Sequence, residues 1–197
     1  DSHVHLTTDA GGVAAQLEQV QLSPAAKAYN ALVHARKTLA AGFTTVRNLG
    51  DRDGVTLALR DAVRAGKVAG PSIVDAGASI STTAGHMDAA LGFRDDLRDA
   101  LDRDENLCDG ADACRRAVRL QVARGVDVIK IATTGGVNSR IGAGLGQQMF
   151  DDEVQAIVAT AHLYGKKVAV HAHGTDGVKV ALAAGVDSIE HGTMLDD

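Results

Sequence analysis

The sequence predicts an α/β fold, namely a TIM-like (β/α)₈ barrel of which about six of the eight units are present. Three observations support this prediction. A unit of helix, glycine, short apolar strand and polar residue recurs along the chain. The strand segments are β-branched and apolar, as in parallel sheets covered by helices. No segment has the composition of a linker, so residues 1–197 are predicted to form one partial barrel domain.

Each copy of the recurring unit has a glycine between its helix and its strand. Gly42, Gly125, Gly165 and Gly185 each follow a helical pattern and precede an apolar segment. Glycine suits that position because the residue after a helix often adopts a left-handed backbone. Strands are predicted near residues 44–48, 72–76, 127–132, 167–171 and 187–190, with a further strand running into His3.

Helical periodicity fills the intervals between these strands. The first predicted helix has Ser23 as a possible N-cap and Pro24 in its first turn. The predicted helices cover residues 25–41, 55–65, 111–124, 151 or 152 to 164, and 175–184. A doubly wound open sheet is the alternative fold, but no GxGxxG motif follows a first strand.

Composition and charge exclude several classes of function. The net charge is −5, from 20 basic and 25 acidic residues, and no basic stripe is present, which argues against a nucleic-acid partner. No apolar run reaches the roughly 18 residues of a membrane span. Cys108 and Cys114 lack the CxxC spacing of a metal or redox pair and are too few for a disulfide framework. Both cysteines are therefore expected to be incidental.

The two ends of the sequence suggest part of a longer protein. The chain starts at Asp1 without a methionine and stops at Asp197 just after a strand-like segment. No signal peptide is visible, and the two cysteines favour a reducing compartment, so the cytoplasm is the favoured location.

Histidines follow three of the predicted strands and carry the strongest functional signal. His3 and His5 stand two residues apart, as do His171 and His173, so each pair projects from one face of its strand. His191 ends a third strand. Because the carboxyl ends of barrel strands meet at one rim, these imidazoles are expected to converge. Neutral imidazole is the commonest side-chain metal ligand, and the pattern predicts a metal site.

Lys130 is the most informative single residue. It lies between Ile129 and Ile131 in an apolar strand, where desolvation should lower the pKa of its ammonium group. A neutral amine can add carbon dioxide to become a carbamate, an anionic ligand able to bridge two metal ions. The alternative is a lysine that extends to the rim or pairs with Asp127. The pattern alone does not separate these roles.

Two residues on loops beyond strand ends are candidates for substrate binding. His86 lies in the segment TTAGHMD after the third strand, and Arg140 lies in GGVNSR after the strand of Lys130. A guanidinium in such a loop can bind a carboxylate. Ordinary loop roles are the alternative for both. His34 and His162 lie within predicted helices and are expected to have packing or surface roles.

Together these segments resemble the amidohydrolase superfamily, in particular the imidazolonepropionase-related branch that includes metal-dependent Xaa-Pro dipeptidases (prolidases). The matching stretches, in the family's order, are DSHVHLTTD, AAGFTTVRNLGD, TTAGHMD, GVDVIKIATTGGVNSR, KKVAVHAHG and GVDSIEHG. They span nearly the whole chain. The resemblance implies a distorted (β/α)₈ barrel with a binuclear metal centre, usually of zinc.

The resemblance also implies a role for each site residue. Five residues match the family's metal ligands by motif position: His3, His5, carboxylated Lys130, His171 and His191. The first two would hold one ion, the lysine would bridge, and the last two would hold the second ion. His173, His86 and Arg140 would bind substrate or support the ligands. The implied cofactors are two divalent cations, with zinc favoured, and the implied partners are a dipeptide or other small-molecule substrate and further copies in a homo-oligomer.

The activity implied by the resemblance is hydrolysis of an amide bond in a dipeptide or N-acyl amino acid by a metal-bridging hydroxide. The family's general base is an Asp after the eighth strand, and that strand lies outside this sequence, as does an N-terminal β-sandwich. Asp176 opens the helix after the fifth strand and is not a substitute. One alternative is a mononuclear imidazolonepropionase-like cyclic amidohydrolase or deaminase, which Lys130 and His173 disfavour. The other is an inactive metal-binding fragment.

Overall fold

Parallel strands lie side by side in chain order. The computed structural model describes residues 1–101, 105–137 and 144–196. Its strands are β1 (Thr45–Asn48), β2 (Ser72–Asp75), β3 (Val128–Ala132), β4 (Lys167–Gly174) and β5 (Ser188–Met194). β1 pairs with β2, and β3 pairs with β4, which pairs with β5, in each case in parallel. All five strands overlap the predicted segments.

Isolated bridges join these two sheets and the N-terminal segment into one array. Val4 pairs with Asn48 in parallel, and its amide donates to the carbonyl of Arg47 at 3.0 Å. Ile80, which follows β2, pairs with Ile131 of β3 in parallel. The described residues therefore supply six neighbouring parallel segments, and the first, an isolated bridge at Val4, lies where a strand is predicted to run into His3.

A contact between β1 and β5 shows that the array is curved. Arg47 of β1 donates to the carboxylate of Glu190 at 2.5 Å and to the hydroxyl of Ser188 at 3.1 Å, although three strands lie between. Such a contact requires the first and last strands to bend toward each other, as in a barrel wall. Within the described ranges no pairing joins β5 to the Val4 segment. The observed architecture is thus an α/β fragment with parallel sheets.

Helices alternate with the strands and cover them. They are α1 (Gly12–Gln21), α2 (Pro24–Ala40), α3 (Val55–Arg64), α4 (Arg98–Leu101), α5 (Ala111–Ala123), α6 (Asp151–Leu163) and α7 (Thr175–Ala184). Ser23 caps α2 by accepting a hydrogen bond from the amide of Ala26 at 3.3 Å. The five predicted helices agree with the observed ones to within one residue at each end. The glycine-initiated α1 and the single turn α4 were not predicted, and none of the described helices is long and apolar enough to span a membrane.

The core lies between the strands and the helices in two main clusters. The larger packs β3 and β4 against α5, α6 and α7 and includes Ile129, Ile131 and Ile157, which have no exposed surface. The smaller packs β1 and β2 against α2 and α3 around Val46 and Ile73. Burial on both faces of the sheet explains why β3 is apolar at every position except Lys130 rather than alternating.

The glycines between helices and strands adopt the predicted backbone. Gly42, Gly125, Gly165 and Gly185 have φ values of 97°, 84°, 65° and 81°. In this left-handed region a side chain would meet the backbone, whereas glycine reverses the chain without strain. These residues return the chain from each helix directly into the next strand.

Cys108 and Cys114 form a disulfide bond, so the expectation that both are incidental is wrong. The bond ties the first turn of α5 to the segment before it, and both residues are buried. The Cα atoms lie 4.9 Å apart, within the range that a disulfide bond requires. Spacing along the chain does not reveal such an approach. The cysteines therefore lend no support to a reducing compartment.

The close packing of α7 yields a test of the fold. A Cβ atom on Gly177 would lie 2.2 Å from Cγ2 of Thr134 and 3.2 Å from Oγ1 of Thr133. Although alanine is the better helix former, Gly177→Ala is expected to lower the free energy of unfolding by about 1–3 kcal/mol through overpacking. Gly11→Ala is the control, since no atom lies within 4 Å of its Cβ position. Equal stabilities of the two full-length variants in chemical denaturation would contradict this packing.

Candidate metal centre

His3 and His5 bring two imidazole nitrogens together beside β1. Nδ1 of His5 lies 3.3 Å from the carbonyl oxygen of Gly50, and Nδ1 of His3 lies 3.1 Å from the carboxylate of Glu190. An acceptor beside each Nδ1 favours the tautomer that carries its proton there, which leaves both Nε2 lone pairs free. Those two Nε2 atoms lie 3.3 Å apart.

The spacing of these nitrogens fits one metal ion. Two nitrogens that each lie about 2.0–2.1 Å from a tetrahedral zinc ion are about 3.3–3.4 Å from each other. The Nε2 atoms of His3 and His5 are separated by that distance. Two facing lone pairs repel one another unless a proton or a cation lies between them, so the pair has the donor arrangement of a metal site.

His171, His173 and His191 form a second group at the ends of β4 and β5. One nitrogen from each ring lies within 4.8 Å of the other two, which permits joint ligation of a metal ion. His171 and His173 are buried, and His191 is exposed. Nε2 of His171 lies 3.1 Å from the carbonyl oxygen of Gly135, and Nδ1 of His173 lies 2.7 Å from the hydroxyl of Thr193.

The backbone at His191 lets two neighbouring residues of β5 face the same side. Glu190 reaches His3, so regular alternation along the strand would turn His191 away. His191 instead has a left-handed backbone with φ of 77°, and the register between β4 and β5 shifts between Ala172 and Gly174. Non-glycine residues seldom adopt this conformation, and it recurs at functional sites. The rings of His191 and His3 consequently lie 5.1 Å apart, which joins the two histidine groups.

Lys130 is buried close to both groups. Its side chain is 1% exposed, and its Nζ has no hydrogen-bond partner among the described residues. Burial lowers the pKa of the ammonium group from 10.5 to about 7; the charge of Glu190 opposes this shift, and that of Arg47 adds to it. An unsatisfied amine that loses its proton near neutral pH fits the chemistry of a carbamate ligand. The orphaned Nζ and the free imidazole lone pairs together form a donor set that fits divalent cations.

Burial also lowers the pKa of every histidine in the two groups and of His86. The pKa falls to about 4 for His3 and for His86 and to about 2 for His171, with loss of hydration as the largest cause. The charge of Lys130 acts in the same direction on all three. The pKa is lowered for His5, His173 and His191 as well. These imidazoles are therefore neutral at physiological pH, which is the metal-binding form.

The structure brings the five predicted ligands together with two of the three predicted substrate residues. The ring of His86 stacks on that of His171, with centroids 4.0 Å apart. The ring of His173 stacks on that of His191 at 4.8 Å. Arg140 lies outside the described residues. His173 belongs to the second group together with His171 and His191, the two histidines that the resemblance selects as ligands. The distances among the three rings are similar, so all three are candidate metal ligands by geometry.

The sequence analysis assigned no role to Glu190 and Arg47. Glu190 is 6% exposed and contacts both the Arg47 guanidinium and His3. The sequence feature that could have identified them is a charged residue within a mostly apolar strand, which is the same feature that identified Lys130. His34 contacts the carbonyl of Leu6, and His162 pairs with a surface aspartate, in keeping with their predicted packing and surface roles.

This chain is an α/β protein with a candidate metal centre. In it, histidines at the carboxyl ends of parallel strands lie around a buried lysine. The chain belongs to the amidohydrolase family, whose family model matches residues 1–197. The resemblance inferred from the sequence motifs is thereby confirmed.

Individual relatives point to the same branch. Ochratoxinase from Aspergillus niger is 35% identical over 172 residues, which cover 82% of this chain and 35% of the relative. A crystal structure of a Xaa-Pro dipeptidase with bound methionine in the active site is 43% identical with a TM-score of 0.92, and covers 100% of this chain and 48% of its own. A prolidase complexed with N-methylphosphonate-L-proline is 30% identical with a TM-score of 0.85, at coverages of 100% and 48%. The chain thus spans about half the length of these structures.

The lowered histidine pKa values predict the acid sensitivity of the metal-free protein. Unfolded histidine has a pKa near 6.5, whereas the pKa is about 4 for His3 and His86 in the fold. Between these values the unfolded chain binds more protons, so stability falls as pH falls from about 6.5 to about 4. Urea denaturation of the full-length protein at pH 7, 5.5 and 4.5 measures this loss.

The contribution of one histidine is isolated by comparison of variants. His86→Gln removes one of the buried imidazoles, so this variant should lose less stability between pH 7 and pH 4.5 than the parent protein. His162→Gln, at an exposed position outside the two groups, should lose as much as the parent. An identical loss in all three proteins would contradict the role assigned to burial of His86.

Proposed function

We propose that the full-length protein is a metal-dependent amidohydrolase that cleaves the amide bond of a dipeptide or an N-acyl amino acid. The observation that carries this proposal is the unpartnered Nζ of Lys130 beside the paired Nε2 atoms of His3 and His5. Relatives support the substrate class, because they include a Xaa-Pro dipeptidase with methionine in its active site and a prolidase with a proline phosphonate. Ochratoxinase is a further similar enzyme.

We infer a complete (β/α)₈ barrel in that full-length protein. Six consecutive parallel segments and the Arg47–Glu190 contact between β1 and β5 support a barrel wall. Polypeptide outside this chain would supply the remaining two units. The aspartate expected to move a proton to the leaving amine would lie there as well.

The residues divide between two metal positions. His3 and His5 would hold one ion, and His171 and His191 the other. Lys130 would bridge them after its neutral amine adds to carbon dioxide and releases one proton, which leaves a carbamate with two oxygen ligands. Two divalent cations such as zinc, held by these residues, would polarise the scissile carbonyl and lower the pKa of a water molecule.

The remaining side chains would position the substrate and the ligands. The neutral rings of His86 and His173 would each offer a hydrogen bond to the substrate beside the second histidine group. Arg140 would bind a substrate carboxylate. Glu190 would hold the ring of His3 in the orientation that aims Nε2 at the metal, through its contact with Nδ1.

A mononuclear enzyme is the second candidate, and one observation favours it. His171, His173 and His191 together offer three nitrogens within 4.8 Å, enough for one ion without any lysine. In that arrangement Lys130 would remain an unmodified amine. Metal stoichiometry distinguishes the two candidates.

Replacement of Lys130 tests the binuclear proposal. The full-length protein is expected to bind close to two metal ions per chain and to hydrolyse dipeptides. Lys130→Met keeps an apolar side chain in the buried position but removes the amine, so metal content should fall toward one ion per chain. The value of kcat/KM should drop by at least about 100-fold, which is the upper end of the loss of activity when a contact that supports a metal ligand is removed. Lys179→Met, at an exposed position paired with Asp196, is the control and should match the parent.

Two further results bear on the carbamate. Lys130→Ala leaves space for a short carboxylic acid, so propionate with bicarbonate should restore part of the turnover. Electron density for a carboxylated lysine is expected in the metal-loaded enzyme. An unmodified Lys130 in a fully metallated, active crystal would overturn the carbamate, and absence of both metal and turnover from the full-length protein would favour the inactive metal-binding alternative.

A further inference from the structure

Two buried aspartates lie close together where β1 and β2 end. Asp75 is the last residue of β2, and Asp51 lies in the segment that follows β1. The amide of Asp51 donates to the carbonyl of Gly77 at 2.8 Å, and the amide of Gly77 donates to Oδ1 of Asp75 at 2.7 Å. Asp51 is 7% exposed, and Asp75 has no exposed surface. Both carboxyl groups therefore lie in one buried region of the fold.

Each of these carboxyl groups has one oxygen that no donor satisfies. Oδ1 of Asp51 and Oδ2 of Asp75 are buried and have no hydrogen-bond partner among the described residues. Oδ2 of Asp51 accepts from the amide of Thr56 at 2.6 Å. The side chain of Thr56 acts on both carboxyl groups, but its hydroxyl supplies a single proton. Two ionised carboxylates would be costly at this depth, so the pair needs an additional positive charge.

The charged groups around the pair compensate one another. The charge of Arg60 acts on Asp75, but its guanidinium donates to two other carboxylates at 2.9 Å. The ring of His5 lines a cavity with Asp51 and is neutral, because burial lowers its pKa. The cationic groups nearby are Lys27, Arg52, Arg60, Arg64 and Arg124, and the anionic groups are Glu18, Asp53, Asp61, Asp88 and Asp127. Among the described residues, these opposite charges are equal in number and leave the two aspartates without compensation.

A proton fits this site better than a metal ion. Both orphaned oxygens are closed to solvent, whereas calcium and magnesium ions take about six or more oxygen ligands. Nε2 of Gln121, which lines a cavity with Asp51, is also buried without a partner in the described structure, and this donor would repel a cation. Burial raises the pKa of Asp51 to about 7, with the charge of Asp75 acting in the same direction, and burial also raises the pKa of Asp75.

We propose that Asp51 and Asp75 form a proton-binding site, in which one proton held by the pair at neutral pH keeps the segment of the N-terminal histidines in place on β1. Like charges at one buried site disfavour ionisation of both groups, so the pair retains one proton. Asp51 is the expected holder, because the charge of Arg60 stabilises the ionised form of Asp75. Neither aspartate is a candidate metal ligand, and the site does not depend on the proposed hydrolytic activity.

A chain of hydrogen bonds links the aspartate pair to the histidine segment. The amide of Thr56 donates to Asp51, and the hydroxyl of Thr56 accepts from Asn48 at 3.0 Å. The side chain of Asn48 accepts from the amide of Leu6, the residue after His5, at 3.0 Å. Loss of the proton would place two negative charges beside Thr56, and their repulsion in a buried site is strong. Release of the proton at higher pH is therefore expected to loosen the Leu6 amide.

Infrared spectroscopy of the full-length protein tests the proton directly, because a protonated carboxyl group has a carbonyl stretching band that histidine lacks. The parent protein is expected to show this band at pH 6 and to lose it by pH 8.5. Asp51→Asn should remove the band. Asp53→Asn is the matched control, because Asp53 pairs with Lys27, and this variant should keep the band. A band that persists in Asp51→Asn, or that the parent lacks at pH 6, would overturn the site.

Asp75→Asn tests whether the two groups act as a pair. Removal of the neighbouring negative charge should weaken proton binding by about threefold or more, seen as a lower pH midpoint of the band. An unchanged midpoint would contradict a shared site. If either variant does not fold, ¹³C-labelled aspartate in the parent protein identifies the band, and absence of an isotope-shifted band at pH 6 would refute the proposal.

Hydrogen exchange of the peptide that contains Leu6, corrected for the intrinsic dependence of exchange on pH, tests the link to the histidine segment. From pH 6 to pH 8.5, protection in the parent should fall about tenfold further than in Asp51→Asn, whose amide stays neutral. Asp53→Asn should behave like the parent. Equal changes in the parent and in Asp51→Asn would overturn the link.

Discussion

Burial of the Lys130 amine near both histidine groups determines the protonation of the whole candidate site. A charged ammonium group in that position is poorly hydrated and has no hydrogen-bond partner among the described residues, so its pKa falls to about 7. Loss of hydration is the largest cause of the lowered pKa of His3 and of His171, and the charge of Lys130 adds to it. The result is a set of neutral nitrogen donors in close contact. Such a set is poorly satisfied by itself, and cations are the ligands that complement it.

Among the described residues, Glu190 is the buried carboxylate that contacts the histidine groups directly. It makes two contacts, each with a different structural effect. Its contact with Arg47 holds β5 toward β1, and its contact with Nδ1 of His3 sets the tautomer and direction of that ring. The curvature of the strand array and the orientation of a candidate ligand therefore depend on the same side chain. Its negative charge also limits how far the pKa of Lys130 falls.

The N-terminal histidines depend on β1 for their position. The amide of Leu6 donates to the side chain of Asn48 at 3.0 Å, and Asn48 donates to the hydroxyl of Thr56 at 3.0 Å. Asn48 is fully buried, so these bonds lie out of competition with water. Gly50, two residues further along, offers its carbonyl to His5. The short segment from His3 to Leu6 is thus held in register by polar contacts with one neighbouring strand.

Sequence alone is enough to predict the order of the strands and helices and which residues reach the strand ends. Those features are local, because apolar periodicity, a capping serine and a glycine after each helix act within a few residues. The convergence of the histidines is also predictable, because the carboxyl ends of parallel barrel strands meet at one edge. Three features emerge only in the folded chain. Two of them are the disulfide between Cys108 and Cys114 and the contact of Glu190 with its two partners. The third is the left-handed backbone that turns His191 toward His3. Each of these features depends on how strands curve and how their register shifts, and such relations between distant segments leave no periodic signal in the chain.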